Sequence, residues 1–184
     1  MKSNFLTVNP EITLHAPRVE MAADFYRIIR TQRPYLQEWL PFVSKIHSEK
    51  DLRIHIKGTM MQNKSGNQLF TFIYYQGKLV GSLAFIKIDK HNKWAELGYW
   101  LHQDLQGQGI ITQSCARLID YGFKALRLQK IRIQTTPANL KSQYIPQKLG
   151  FTQEGILRKE AIILDKPHDL IQFGLLKPEW KNPY

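Results

Sequence analysis

The chain has 184 residues, 43% of them hydrophobic, enough for one well-buried core, and no linker or compositional break divides residues 1–184 into more than one domain. No run approaches the ~18 apolar residues of a membrane span, and the first ten residues lack a signal peptide's apolar centre, so a soluble, cytoplasmic protein is expected. With 26 Lys or Arg against 15 Asp or Glu, the formal charge of +11 calls for an anionic partner, whether cofactor phosphates, an acidic protein or RNA; basic residues spread along the chain argue less for nucleic acid than a block would.

Ile12–His15 alternates briefly as a first strand before Pro17 breaks it. A helix follows, with Val19, Ala22, Tyr26 and Ile29 on one stripe, and Pro34 is expected to stop it. Leu36, Trp39, Leu40 and Phe42 form an apolar-aromatic cluster in a short helical segment cut by Pro41, suited to the core, which is favoured, or to the wall of an acceptor cleft. Ser48 with Asp51 three residues on begins the next helix as a capping box, with Leu52, Ile56 and Met60 on one face and an end near Gly66. Strands at 69–75 and 79–88 are joined by Gln76-Gly77, a hairpin signal, and a polar turn at 89–93 leads into a third strand, Trp94–Leu101.

That strand runs into Gln106-Gly-Gln-Gly-Ile-Ile111, and apolar residues at Ile111, Cys115, Leu118, Ile119, Phe123 and Leu126 then fall at helical spacing. Gly107 and Gly109 remove side chains where the backbone turns, so consecutive N–H groups at a helix start can converge on an anion. The dinucleotide fingerprint fails because Thr112 stands where its third glycine belongs, and the Walker ending is absent. Cys115, the single cysteine, lies on the apolar stripe and reads as a packed thiol, while six scattered histidines give no metal-ligand pair, so no metal site is expected.

Ile131 and Ile133 mark another strand, which should run parallel to its predecessor because a helical crossover connects them. Asn139 opens a short helix that ends at Gly150. Pro146 sits inside it, so the helix either starts late or kinks at Ser142, whose carbonyl loses its partner. Two last strands, 156–164 and 170–176, are expected to be joined by a loop Asp165-Lys-Pro-His-Asp169.

Gly98-Tyr-Trp-Leu101, the glycine loop at 106–111, Asn139-x-x-Ser142 with Gly150-Phe151, and His168-Asp169 together resemble the GCN5-related N-acetyltransferases, in particular the branch that acetylates the N-terminal serine of ribosomal proteins. Gln106 and Gly109 match fixed positions of the superfamily's acetyl-CoA loop, while Ile111 departs from its last one. The resemblance implies an α/β (α+β) fold: a mixed, mostly antiparallel sheet flanked by helices, whose parallel strand pair splays apart to hold acetyl-CoA as co-substrate. Pantetheine would pair with backbone near Trp100 and Leu101, and the pyrophosphate would take the N–H groups of Gln106, Gly107, Gln108, Gly109, Ile110 and Ile111, with Asn139 nearby.

Transfer to an amine needs a neutral nucleophile, oxyanion donors and an acid for the thiolate. By the spacing from Asn139 to Gly150, the superfamily's tyrosine acid falls at Pro146, so Ser142 is the candidate acid, with helix capping as its other reading. Glu96 lies on the same strand face as Gly98 and Trp100 and is the candidate base, or else an ordinary paired surface carboxylate. The resemblance implies an acidic ribosomal protein N-terminus as acceptor and admits a homodimer. A polyamine or aminoglycoside acetyltransferase, or a CoA-binding or RNA-associated module without turnover, are the alternatives.

Overall fold

The computed structural model describes residues 5–184. Among the described residues eight strands form one sheet in the order β1-β2-β3-β4-β5-β6-β8-β7. The strands are β1 (Leu6–Thr7), β2 (Ile12–His15), β3 (Leu69–Tyr75), β4 (Lys78–Asp89), β5 (Trp94–Leu101), β6 (Lys130–Thr135), β7 (Thr152–Ile163) and β8 (Lys166–Leu176). All neighbours are antiparallel except β5 and β6, which the α3 crossover (Ile110–Lys124) makes parallel. The remaining helices are α1 (Ala22–Trp39), α2 (Glu49–Ser65) and α4 (Leu140–Lys148). This is the expected mixed sheet with one parallel pair.

Period-two alternation in the strands feeds two cores. Ile73, Leu83, Phe85, Leu97, Ile131 and Ile133 pack against Ile111, Cys115, Leu118 and Ile119 of α3. Phe72, Tyr74 and Trp100 point the other way, onto Phe25 and Ile29 of α1 and Leu52 and Ile56 of α2. The stripe of α3 follows the expected spacing, and Cys115 is fully buried, its thiol pushed far up by that burial.

Local chemistry explains most boundaries. Ser48 Oγ accepts from Asp51 N at 3.2 Å while Asp51 returns a bond to Ser48 N, and Gly66 closes α2 in the left-handed region, as the pattern requires. Gln76 and Gly77 both take positive φ, 49° and 76°, the twist of a two-residue hairpin.

Three expectations are corrected. Pro34 does not stop α1: the helix breaks at Gln32 (φ −118°) and resumes, because a proline at the start of the second segment removes an N–H that a fresh first turn leaves unpaired anyway. Lys166-Pro-His-Asp169 is not a loop but the start of β8. Leu164 and Asp165 alone make the turn, both at positive φ, and a strand proline is tolerated near its end. β7 begins at Thr152, four residues earlier than expected, because bulges near Glu154 and across 158–160 break its alternation. Asp169 Oδ1 secures the second bulge by accepting from Lys159 N at 2.8 Å.

Candidate functional site

The parallel pair is short. β5 and β6 are paired only at Trp94–Lys130, Ala95–Ile131 and Glu96–Arg132; beyond Glu96 they diverge, and the side of β5 that faces β6 has no strand partner among the described residues from Leu97 to Leu101. Gly98 lies at the divergence. A Cβ there would come within 3.1 Å of Ile86, the extra residue of the bulge in β4, so Gly98 both accommodates the bulge and opens the wedge wall. The wedge belongs to a cavity of about 1080 Å³ that passes from the glycine loop to the face covered by α1 and α2.

On the α3 side the cavity is built from backbone. Gly107 (φ 79°) and Gly109 (φ 76°) turn the chain, and α3 begins at Ile110. The side chains of Ile110 and Ile111 are buried in the core, which anchors the first turn of α3 with its unpaired N–H groups toward the cavity. Gln108 is exposed and is not part of the cavity wall. The Gln106 side chain spans the entrance: its Nε2 donates to Tyr35 Oη of α1 at 2.5 Å, and its Oε1 accepts from Lys141 Nζ of α4 at 2.9 Å. Gln32, the residue at the break in α1, ties the same region through its Oε1, which accepts from Gln103 N at 3.0 Å.

These features fit a long ligand with a phosphate at one end and amides behind it. The loop supplies N–H donors at a helix dipole's positive end, Lys141 adds a cation, and the free edge of β5 can pair with amide groups. Thr136 on the same wall carries a buried hydroxyl with no partner among the described residues, a group that a ligand amide would satisfy. Trp100, Leu101 and Asn139 also line the cavity.

The expected catalytic residues separate. Ser142 lines the cavity, and it is not the cap of α4: Asn139 is, its Oδ1 accepting from Ser142 N at 3.0 Å. Ser142 Oγ instead donates to Tyr99 Oη at 3.3 Å. Glu96 sits where β5 and β6 are still paired and is absent from the wall; both its bonds go to Arg132, at 2.9 and 3.1 Å, and the guanidinium lies 3.8 Å over the Trp94 ring. Its carboxylate is held as one half of a largely shielded ion pair, on the strand face of Gly98 and Trp100 but before the divergence, which corrects its expected position beside the wedge.

The α1–α2 side is built from side chains. Tyr35, Leu36, Trp39, Leu40 and Phe42 form one wall, so the aromatic cluster is both core, through Leu36, and cleft, through its half-buried remainder. His55 of α2 stacks on Phe42 with ring centroids 4.6 Å apart, and burial lowers its pKa below the usual histidine value, favouring the neutral ring. Among the lining residues the charged side chains are Lys141 and Lys148, and none is a carboxylate. The sequence reading missed Tyr35, Tyr99, Thr136 and Lys141; Tyr99 and Lys141 lay inside the quoted motifs as unassigned letters.

Comparison with known proteins agrees with this geometry. The acetyltransferase (GNAT) domain model matches residues 11–152. Bacillus subtilis YdaF, provisionally named a ribosomal N-acetyltransferase, is 32% identical over 95% of this chain and 96% of its own. The Escherichia coli ribosomal-protein-serine acetyltransferase is 30% identical over 90% of this chain and 92% of its own. Among solved structures, the microcin self-immunity acetyltransferase MccE, in complex with acetyl-CoA and AMP, superposes with a TM-score of 0.86 at 32% identity, covering 92% of this chain and 94% of that one.

Proposed function

The chain belongs to the GNAT acetyltransferase family and is an acetyl-CoA-dependent N-acetyltransferase; from that premise we propose that it acetylates the α-amino group at the N-terminus of an acidic ribosomal protein. The observation that carries this reading is that no carboxylate side chain lines the cleft: its two lysines, Lys141 and Lys148, lie on α4 at the cofactor end, and the α1–α2 wall is uncharged. The chain's charge of +11 attracts an acidic polypeptide, whereas a polyamine finds no carboxylate side chain in this lining to hold its distal amines. The names of the two relatives that match 90% and 95% of this chain support the same class of acceptor. In this reading residues 1–184 act as one domain, in the cytoplasm where ribosomal proteins are made.

Acetyl-CoA supplies the reactive thioester. The first-turn N–H groups of α3 and Lys141 hold its phosphates, and the free edge of β5 orients its amides. N–H groups on the free edge of β5 at 97–101 donate to the developing oxyanion, and Ser142 Oγ–H donates to the departing sulfur. With Glu96 committed to Arg132, the cleft supplies no carboxylate base. The reaction therefore draws on the fraction of α-amine that is already neutral, near its pKa of about 8, and the released proton goes to water.

A second reading has its own support: the stacked Phe42–His55 pair is a flat apolar surface, and MccE holds AMP. An amine carried on a nucleotide is therefore the rival acceptor. Transfer of labelled acetyl to an acidic ribosomal protein with a free N-terminal serine, an aminoacyl nucleotide and spermidine tests both. The proposal expects label on the protein's α-amine above all, and predominant labelling of either small molecule would refute it.

A further inference from the structure

Pro146 lies inside α4 and has no N–H, so the carbonyl four residues back, that of Ser142, loses its helical partner. The replacement comes from across the wedge. Tyr99 of β5 donates its Oη–H to Ser142 O at 2.8 Å, and Tyr99 Oη accepts from Ser142 Oγ at 3.3 Å. Ser142 N is bound at the other end by Asn139. All three polar groups of Ser142 are thus held, two of them by one phenol from a different element.

We propose that Tyr99 is the positioning residue for stabilisation of the departing thiolate: its phenol replaces the bond that Pro146 removes and holds Ser142 Oγ toward the wedge, from where Oγ–H donates a hydrogen bond to the sulfur, which takes its proton from water. This rests on Ser142 as the hydrogen-bond donor to the leaving sulfur. The two bonds are unequal. The 2.8 Å bond to the carbonyl fixes the backbone, while the 3.3 Å contact of Oγ is weak enough for the hydroxyl to turn from Tyr99 to sulfur at little cost. Burial drives the Tyr99 phenol far above the ordinary tyrosine range, so it stays protonated and remains a donor throughout the working pH range. A tyrosine supplied from the strand thereby supports a serine on the helix in a chain where proline occupies the superfamily's tyrosine position.

Tyr99→Phe keeps the ring and deletes the hydroxyl. Single-turnover acetyl transfer should slow about tenfold, equivalent to ~1.4 kcal/mol, while acetyl-CoA affinity measured by calorimetry changes less than about twofold. The decisive variant is Tyr99→Phe combined with Ser142→Ala. If Tyr99 works through Ser142, the pair should be no slower than Ser142→Ala alone; multiplying losses would mean that Tyr99 merely supports the fold and would overturn the proposal. Pro146→Ala in the Tyr99→Phe background should restore thermal stability through the new N–H without restoring the full rate. Full recovery of the rate would show that the carbonyl bond alone matters, contrary to the role of Oγ. If Tyr99→Phe is as fast as wild type while Ser142→Ala is slow, Tyr99 loses its role and Ser142 keeps its own; if Ser142→Ala is also as fast as wild type, both fall.

Discussion

The two ends of the cavity are made differently. At the α3 end, six consecutive residues, 106–111, and one strand edge present backbone groups, so the surface is set by φ angles and by where β6 leaves β5. At the α1–α2 end the wall consists of side chains from four separate stretches: α1, the turn at 41–45, α2 and β3. Backbone recognition suits a ligand that does not vary. A wall of side chains can change acceptor without disturbing the fold, because half-exposed aromatic positions tolerate substitution better than left-handed glycines do. Gln106 joins the ends, bonded to Tyr35 on one side and Lys141 on the other.

Substitutions at either end should separate cofactor binding from acceptor choice. The largest effect is expected from Gly109→Val, which forces a β-branched residue to φ 76° and places bulk over the anion's approach. Acetyl-CoA affinity by calorimetry should fall about a hundredfold, ~2.7 kcal/mol, and unchanged affinity would remove the loop from the cofactor site. Next, Trp39→Ala at the acceptor end should raise the acceptor KM about tenfold with cofactor affinity untouched, the loss typical of an interfacial tryptophan. A matching loss of cofactor affinity would show the two ends to be one site. Glu96→Gln should lower thermal stability by weakening the Arg132 pair and leave kcat within about twofold; a collapse of kcat would return the base role to Glu96.

The smallest effect concerns pH. Burial depresses the His55 pKa in the folded protein, so the unfolded chain binds that proton more readily. The associated stability is present above about pH 6.5, the unfolded histidine value, and is lost as pH falls below it toward the folded pKa. Melting temperature measured from pH 7 to 5 should decline slightly in the wild type and less in His55→Gln; equal slopes would contradict a neutral, partly buried ring.

The backbone end was legible because its signals are contiguous: glycines, strand alternation and helical spacing placed β5, the loop, α3 and β6 from local rules alone. The side-chain end was legible only in part. Trp39 and Phe42 stood out by composition, but nothing local says that His55 of α2 stacks on Phe42 or that Tyr35 reaches Gln106, 71 residues on. Period-two counting put Glu96 on the right face and at the wrong depth, since the depth depends on where β6 departs and on Arg132 as partner. Helix-breaking rules likewise found Pro34 and Pro146 without revealing how each is accommodated, the first by a new first turn and the second by Tyr99.

Which amine the acceptor end takes is read from kcat/KM measured at low and high salt. An acidic ribosomal protein with a free serine N-terminus should be preferred over spermidine, and its advantage should shrink as ionic strength rises past about 0.15 M, where the screening length is ~8 Å. A large preference for spermidine, undiminished by salt, would make the protein a polyamine acetyltransferase instead.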